Sequence, residues 1–252
     1  MIAEALLYAA TLPLTKPEHR RFIRSSVSLW SRAGRCRKQW ADHEKNTRSA
    51  ILSAMASLPR RRTAVVLGSG LLRDVPIRQL AAAFDTVVLI DLVHLAHVRL
   101  RLRHPRYRHV RLIEQDLSGF SAYVSEGSLD PLGFLRNVPY LDFVVSANLL
   151  SQIGRGIMRK LGEDADNNAP PDTLTKLLRA HIDALQQAPW KTCLVSDVSY
   201  AVIDRNGNRQ DEEDLLYGLT VPGAKAGWYW PVVPFGEESA DYQIIHKVVA
   251  SF

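Results

Sequence analysis

A short apolar run followed at once by a glycine turn most constrains what this chain can fold into. Residues 63–67 read Thr-Ala-Val-Val-Leu, a β-branched run suited to a strand that is buried on both faces. Residues 68–70 form a Gly-Ser-Gly turn, and a helical pattern covers residues 74–83. This order of strand, glycine turn and helix lets backbone approach a ligand at the carboxyl end of the strand. The sequence therefore predicts an α/β domain with a ligand cleft beside the turn.

Four more apolar runs follow the first, with room for helices between them. They cover residues 86–90, 109–113, 141–146 and 191–196. A polar stretch over residues 162–171 reads as an insertion before the last of them. Strands that alternate with helices at this spacing predict right-handed crossovers and a parallel sheet.

The last part of the chain breaks this rhythm. Asn206-Gly207 predicts a tight turn, and the acidic residues 211–214 predict the start of a helix. Residues 227–231 and 242–249 predict two strands, which lie too close together in sequence for a crossover helix and must therefore be antiparallel neighbours. The whole pattern predicts a mostly parallel seven-stranded sheet with an antiparallel last strand and helices on both faces.

Two segments of different texture divide the chain. Residues 1–59 carry helical patterns without a strand-like run and predict an N-terminal helical extension or lid, while residues 60–252 carry the alternating pattern of the main domain. Trp40, His43 and Glu44 are candidates for a part of this lid that faces a ligand. The alternative is that the extension's aromatic residues only pack it onto the core.

Composition sets weaker limits on function. The chain of 252 residues is 46% hydrophobic and 23% charged, which is ordinary for a globular protein, and its formal charge is +6. This small excess permits an anionic partner such as RNA, but a solvated basic face explains it as well. Cys36 and Cys193 match no metal or redox spacing, so we expect reduced thiols in a cytoplasmic protein and no metal site. No window is long and apolar enough to span a bilayer.

Acidic residues follow the second and third predicted strands. A carboxylate at Asp91 can accept two hydrogen bonds from a ribose diol, and capping of the next helix is the alternative. Asp116 ends the third predicted strand. The third glycine of the dinucleotide fingerprint would fall at Arg73, which is unsuited to the close approach of a pyrophosphate.

The glycine turn, Asp91 and Asp116 together resemble the class I S-adenosylmethionine-dependent methyltransferases, over roughly residues 62–252. The resemblance implies a Rossmann-like fold whose sheet ends in a reversed strand, with S-adenosyl-L-methionine as cofactor. It also implies that Asp116 accepts from the adenine amine and that the loop after the fourth strand faces cofactor and substrate. The predicted cofactor-binding residues are Gly68, Ser69, Gly70, Asp91, Leu92, Asp116, Leu117 and Asn148.

Other residues are candidates for substrate binding and catalysis. Many members of the family carry an acidic residue near the end of the first strand; this chain does not, and Arg73 or Asp74 is an alternative contact for the methionine group. A helix-start role is the alternative for Asp74. Asp197, after the fifth predicted strand, is the candidate catalytic residue that orients or deprotonates a nucleophile, with a buried hydrogen-bonding role as its alternative. The predicted substrate-binding residues are Ser151, Gln152, Trp228 and Trp230, and packing against the core is the alternative for the two tryptophans.

The predicted function is methyl transfer from S-adenosylmethionine to an O, N or C nucleophile of a small molecule or RNA. The loop over residues 146–153 lacks the Asn/Asp-Pro-Pro-Tyr/Phe signature of amino-methylating DNA enzymes, which disfavours that chemistry. Two alternatives stay open. One is an NAD(P)-dependent oxidoreductase, and the other is a non-catalytic nucleotide- or RNA-binding module on the same fold.

Overall fold

A single mixed sheet forms the centre of the molecule. The computed structural model describes residues 1–163, 170 and 172–252. Within those residues the strands are β1 (Thr63–Leu67), β2 (Thr86–Asp91), β3 (Val110–Glu114), β4 (Leu141–Ala147), β5 (Lys191–Asp204), β6 (Arg209–Asp214), β7 (Ala224–Val233) and β8 (Tyr242–Ser251). Their order across the sheet is β3-β2-β1-β4-β5-β8-β7, and β6 pairs with β5 off this path.

The parallel half of the sheet places β1 at its centre. β1 pairs in parallel with β2 on one side and with β4 on the other, and all of its residues are buried. β2 pairs in parallel with β3, and β4 with the first part of β5. A strand covered on both faces needs apolar side chains on both, which explains the unbroken apolar run over residues 63–67.

The last strand is reversed. β8 is antiparallel to β5 and to β7, and it lies between them. Parallel strands first, a reversed closing strand and a sheet flanked by helices confirm the predicted fold class. The predicted antiparallel pairing of the last two strands is confirmed too.

The prediction of a helix at residues 211–214 is wrong. These residues belong to β6, which forms a hairpin with the second half of β5, and the described sheet therefore has eight strands instead of seven. The tight turn at Asn206-Gly207 is confirmed, and Asp204 ties it by accepting from the backbone nitrogens of Asn206 and Asn208 at 2.8 and 2.9 Å. Every residue of β6 is exposed, so the strand carries no apolar alternation. Its charges suit an edge strand that must not pair with other chains.

Helices cover both faces of the sheet, and a buried apolar cluster lies between each face and its helices. The helix predicted over residues 74–83 begins late, at Ile77, because Leu72 has a φ of 55° and Pro76 precedes the first turn. The α-helices are α1 (Ile2–Thr11), α2 (Ile23–Arg35), α3 (Ala41–Ala56), α4 (Ile77–Ala83), α5 (Ala96–Leu102), α6 (Phe120–Glu126), α7 (Leu150–Glu163) and α8 (Thr173–Gln186). Short 3₁₀ helices cover Leu12–Leu14, Pro17–Phe22, Pro105–Tyr107 and Gly133–Asn137. Most of the insertion predicted over residues 162–171 lies outside the described residues.

The N-terminal helices are attached to the sheet at two places. Near β3, the backbone nitrogen of Lys16 donates to Glu114 at 2.8 Å and its ammonium group donates to the Glu114 carbonyl at 3.1 Å. At the opposite edge, Trp40 Nε1 donates to the carbonyls of Pro231 and Val232 on β7, at 3.1 and 3.2 Å. The segment over residues 16–40 thus runs from the β3 edge of the sheet to β7, and α3 packs against β4, β5, β7 and β8. The division into residues 1–59 and 60–252 stays a prediction.

Candidate functional site

One cavity, which we call the main cavity, lies where β1, β2 and β3 end, and together with its open mouth it spans about 930 Å³. In an open α/β sheet, ligands bind outside the carboxyl ends of the strands near the point where strand order reverses, and β1 marks that point here. Its lining includes six of the predicted cofactor-binding residues: Gly68, Gly70, Asp91, Leu92, Asp116 and Leu117.

The glycine turn approaches the β4 loop closely. Gly68 has a φ of 72°, and a Cβ at this position would lie 3.0 Å from the Ala147 carbonyl oxygen and 3.1 Å from Leu149 Cβ. Gly70 has a φ of 50° but meets no such crowding. Only glycine adopts these backbone angles without strain, and at Gly68 only glycine also leaves room for the neighbouring chain.

Asp91 holds the glycine turn in place. Its carboxylate accepts hydrogen bonds from the backbone nitrogens of Gly70 and Leu92, both at 2.7 Å. An ionised carboxylate offers about four acceptor sites, so two remain for a ligand. Asp91 also lines the cavity, and the arrangement suits the vicinal hydroxyls of a ribose. The helix-capping alternative does not apply, because α5 begins only at Ala96.

The segment after β3 forms the neighbouring wall. Asp116 accepts from the backbone nitrogen of Ser118 at 2.9 Å, and the backbone nitrogen of Gln115 donates to the Asp91 carbonyl at 3.0 Å. These contacts link the ends of β2 and β3, so that Asp91, Asp116 and Leu117 face one cavity. A wall with an acidic side chain, Asp116, beside an apolar one, Leu117, suits the amine and the ring of an adenine.

The N-terminal helices cover the main cavity. Phe22, at the end of a 3₁₀ helix, and Ser26 and Leu29 on α2 all belong to the lining. These three residues were not predicted from the sequence, because a helical pattern does not show which distant strand ends the helix will cover. Arg159 on α7 was not predicted either; it lies on the cavity wall with its guanidinium 5.7 Å from the centre of the Phe22 ring.

A second cavity, about 540 Å³ with its open mouth, adjoins the first and shares Leu29, Gly68, Gly70, Leu71 and Gln152 with it. Its remaining wall is formed by side chains from α3, the glycine turn, the β4 loop and β7. They include the three candidates for a ligand-facing part of the lid, Trp40, His43 and Glu44. They also include the predicted cofactor-binding residue Asn148 and the predicted substrate-binding residue Trp230. The residues are Trp40, His43, Glu44, Arg73, Asp74, Ala147, Asn148 and Trp230.

His43 is the centre of the second cavity's polar network. Its ring stacks on Trp230 with centroids 3.9 Å apart and planes inclined by 7°. Trp228 Nε1 donates to His43 Nδ1 at 3.1 Å, and His43 Nε2 lies 3.3 Å from the side-chain amide of Asn148. Burial lowers the pKa of His43 from its ordinary 6.5 to about 3, so the ring is neutral at physiological pH.

Asn148 connects this network to the glycine turn. It follows β4 in a left-handed conformation, with a φ of 49°, and its backbone nitrogen donates to the Val195 carbonyl at 2.8 Å. The same amide atom that faces His43 lies 2.8 Å from Asp74 Oδ2. Burial raises the pKa of Asp74. Left-handed non-glycine residues often mark functional sites, because the surrounding structure must hold them there.

Arg73 takes a role unlike that of a dinucleotide-binding glycine. Its Nε donates to Glu44 on α3 at 2.5 Å, so it joins the glycine turn to the N-terminal helices. Arg48 donates to the Arg73 carbonyl and lies 3.7 Å from Glu44. The position of the third fingerprint glycine thus carries a side chain that helps to build the second cavity.

Asp197, the candidate catalytic residue, does not line either cavity. Ser151 Oγ donates to its Oδ1 at 2.6 Å and His246 Nδ1 lies 2.7 Å from its Oδ2. Burial alone would raise the pKa of Asp197, but the hydrogen bonds and the charge of His246 outweigh it and lower the pKa. Any effect of Asp197 on a ligand must therefore pass through another side chain.

Three further predicted residues are also absent from the cavity linings. Ser69 is fully buried in the turn, Ser151 is bound to Asp197, and Trp228 contacts the second cavity only through His43. Among the residues that the structure describes, no group of three His, Cys, Asp or Glu side chains could hold a metal ion. No described helix is long and apolar enough to cross a membrane.

The strand order, the reversed β8 and the cleft beside the glycine turn define the class of this protein: a Rossmann-like α/β domain with a cleft at the carboxyl edge of its parallel strands. No known protein family matches the sequence, and no curated protein matches it either.

Several solved structures are similar to the chain. The N-methyltransferase NodS from Bradyrhizobium japonicum WM9, in complex with S-adenosyl-L-homocysteine, is 14% identical with a TM-score of 0.42 over 85% of this chain and 88% of that one. The 1,6-didemethyltoxoflavin-N1-methyltransferase of Burkholderia thailandensis is 16% identical with a TM-score of 0.40, over 90% and 87%. An rRNA methylase from Streptococcus thermophilus is 12% identical with a TM-score of 0.35, over 81% and 96%.

Proposed function

We propose that this protein is an S-adenosylmethionine-dependent methyltransferase. One observation carries the proposal: Asp91 binds the glycine turn through Gly70 and faces the same cavity as Asp116 and Leu117. A ribose on Asp91 and an adenine beside Asp116 and Leu117 would fill the main cavity. The methionine part of the cofactor would then extend past Gly68 toward the second cavity. The two cavities adjoin at Gly68 and Gly70, which line both of them.

The proposed chemistry asks little of the protein beyond positioning. A lone pair of the acceptor forms a bond to the methyl carbon, and the carbon–sulfur bond breaks with its electron pair passing to sulfur. The sulfonium becomes a neutral thioether, and any proton of the acceptor passes to water. Because the leaving group is already activated, alignment of the two reactants and exclusion of water supply most of the rate. Leu29 and Phe22 cover the cavity and would exclude water.

The alternative of an NAD(P)-dependent oxidoreductase is less well supported. A bound pyrophosphate needs close approach at the turn, where Arg73 reaches to Glu44 instead. The reversed β8 between β5 and β7 also departs from the all-parallel 3-2-1-4-5-6 order of dinucleotide-binding folds.

A small molecule is the methyl acceptor that we propose. The second cavity lies under α3 and next to α2, and Trp40 and Trp230 form part of its wall. Concave sites that combine aromatic side chains with a few polar groups are typical for small molecules. RNA is the alternative acceptor.

We also propose that the protein acts in the cytoplasm. Cys36 and Cys193 are free and buried, and burial raises the pKa of both thiols, that of Cys193 to about 12. Thiols of this kind are typical of a reducing compartment. Fractionation of cells that produce the protein tests the location, and recovery from an oxidising compartment would contradict it.

Isothermal titration calorimetry tests the cofactor. We expect binding of S-adenosylmethionine and S-adenosylhomocysteine, and no heat with NAD or NADP. Asp91→Asn should weaken both adenosyl ligands about 10- to 100-fold, since it removes a charge-assisted acceptor. Asp85→Asn is the matched control, because Asp85 is an exposed residue just before β2, at the end opposite to the cleft. Tight NAD binding without heat from the adenosyl ligands would overturn the assignment.

Transfer of labelled methyl groups tests the reaction. The purified protein, S-adenosylmethionine with a labelled methyl group and a cell extract should yield label in the small-molecule fraction. Label in RNA would replace the proposed acceptor but keep the enzyme class. Binding of RNA that falls steeply with salt, without any transfer, would instead support the non-catalytic module.

A further inference from the structure

Two buried polar atoms in the lining of the second cavity have no hydrogen-bond partner. They are Nε1 of Trp230 and the outer atom of the Asn148 side-chain amide, placed as Oδ1. Buried polar groups in folded proteins nearly always find partners. Two such atoms at one cavity therefore point to a ligand that supplies the partners. An indole nitrogen can only donate a hydrogen bond, so the ligand must accept one from Trp230. Whether it must also accept from Asn148 or donate to it depends on which end of the Asn148 amide, NH₂ or oxygen, faces the cavity.

The tautomer of His43 is set by Trp228. The indole nitrogen of Trp228 donates to His43 Nδ1, which must therefore carry a lone pair. A neutral imidazole has one N–H group, and burial keeps His43 neutral. The proton of His43 consequently lies on Nε2, which faces Asn148.

This proton determines the orientation of the Asn148 amide. The oxygen and nitrogen of an amide occupy nearly the same space, and hydrogen bonding decides between the two orientations. An NH₂ group 3.3 Å from His43 Nε2 would place two donors face to face, whereas a carbonyl oxygen accepts the proton. The same oxygen, 2.8 Å from Asp74 Oδ2, also accepts from the carboxyl group when Asp74 is protonated. Burial favours that form, because it raises the pKa of Asp74.

With the amide in this orientation, its NH₂ group takes the position that has no protein partner. We propose that the second cavity is a subsite for a carboxylate or comparable oxygen anion, held by Trp230 Nε1 and Asn148 Nδ2. Arg48 and Arg73 both lie beside the carboxylate of Glu44, so cations outnumber anions in this group. The other acidic side chain of the lining is Asp74, whose pKa is raised by burial. Donors fixed in a buried cavity bind an anion well because they need no reorganisation.

Two molecules can supply the anion, and the choice between them rests on the proposed function. One is the cofactor, whose methionine part ends in a carboxylate. The other is an acidic methyl acceptor. The subsite itself, with its two donors and its His43 tautomer, does not depend on which of them binds.

The tautomer is tested on the intact wild-type protein by ¹⁵N NMR of its histidines, with His43 assigned by comparison with His43→Gln. We expect a protonated Nε2 and an unprotonated Nδ1. A proton on Nδ1 would overturn the inference, because the amide of Asn148 would then be free to present its oxygen to the cavity.

The anion is tested through the indole N–H signals of the ¹⁵N-labelled protein. Trp230→Phe removes one signal and so assigns it, while keeping an aromatic ring on His43. Trp228→Phe assigns the signal of Trp228 in the same way. This signal is the matched control, because the Trp228 N–H group already donates to His43. Benzoate is expected to move the Trp230 signal and leave the Trp228 signal in place. Benzamidine, a cation of similar shape, should move neither.

Adenosyl ligands identify the source of the anion. If it is the cofactor, Trp230→Phe weakens S-adenosylhomocysteine about tenfold and leaves 5′-methylthioadenosine, which lacks the carboxylate, unchanged. If it is the acceptor, both adenosyl ligands keep their affinity, and benzoate still moves the Trp230 signal in the protein saturated with S-adenosylhomocysteine. A Trp230 signal that responds to neither benzoate nor S-adenosylhomocysteine would refute the subsite. Benzoate binding at Trp230 in a protein that fails to bind S-adenosylhomocysteine would keep the subsite and refute the proposed function.

Discussion

At the residue scale, the tightest constraint lies at Gly68, which lines both cavities. Its backbone angle is left-handed, and the β4 loop leaves no space for a side chain there. A side chain at Gly68 would be destabilised by the left-handed backbone angle and, separately, by steric crowding from the β4 loop. Another glycine of the chain has the left-handed angle without the crowding. Gly207, in the β5–β6 turn, has a φ of 83°, and a Cβ added there would meet nothing within 4 Å.

Gly68→Ala should lower the free energy of unfolding by about 2–4 kcal/mol. About 1–2 kcal/mol comes from the left-handed angle, and the rest from displacement of Ala147 and Leu149. Gly207→Ala should lose only the first part and keep its affinity for S-adenosylhomocysteine. Urea denaturation and calorimetry of both variants measure these values. Equal losses in the two variants would show that the close approach at Gly68 has no energetic consequence.

At the scale of elements, α2 acts as the cover of the main cavity. Ser26 and Leu29 lie on its inner face and line the cavity. A ligand in the cavity would contact both and restrain the helix. We therefore expect S-adenosylhomocysteine to slow amide hydrogen exchange in α2 several-fold, since local opening must then release the ligand. The β5–β6 hairpin is the internal control, because β6 is exposed along its whole length. Unchanged exchange in α2 at saturating ligand would refute the covering role.

The indole of Trp40 fixes the N-terminal helices to β7. Trp40→Phe keeps the ring but removes the hydrogen bond to the carbonyls of Pro231 and Val232, and should cost about 1 kcal/mol of unfolding free energy. Trp190→Phe is the matched control. The indole nitrogen of Trp190 is buried without a partner, so its removal should cost no hydrogen bond. A Trp40 variant as stable as the Trp190 variant would contradict this role.

Elements with a strong local signal could be predicted from the sequence. β1 and its turn have an apolar run and two glycines, and the glycines are required by positive φ angles that other residues rarely adopt. β6 has no such signal, because a fully exposed, charged edge strand shows neither apolar alternation nor β-branched residues. Its acidic run therefore resembled the first turn of a helix.

The site was predicted as far as it depends on strand ends. Asp91 is the last residue of β2 and Asp116 lies two residues beyond β3; both strands end within one residue of the predicted bounds, and both side chains line the main cavity. Asp197 was expected at the end of β5, but that strand continues to Asp204 because it gains β6 and β8 as antiparallel partners. Asp197 thus lies within the strand and binds His246 of β8. Ser26 and Leu29 reach the cavity only through tertiary packing, which no local pattern records.

At the scale of the whole molecule, buried histidines make stability depend on pH. Burial lowers the pKa of His43 to about 3 and that of His181 to about 4, and it also lowers the pKa of His94. In the unfolded chain the same side chains titrate near 6.5. Below that pH the unfolded state binds protons that the folded state does not, so acid favours unfolding.

The stability of the wild-type protein should therefore be complete above about pH 7 and fall as the pH drops from about 6.5 toward 5. Each histidine that stays neutral in the folded state contributes about 1.4 kcal/mol per pH unit over this range. His181→Gln should reduce the slope by that amount, because His181 is fully buried with Ser146 as its partner at 3.2 Å. His104→Gln, at an exposed position, is the control and should keep the wild-type dependence. Urea denaturation at half-unit pH intervals measures the slopes, and a His181 variant with the wild-type slope would mean that this imidazole takes up its proton without unfolding the protein.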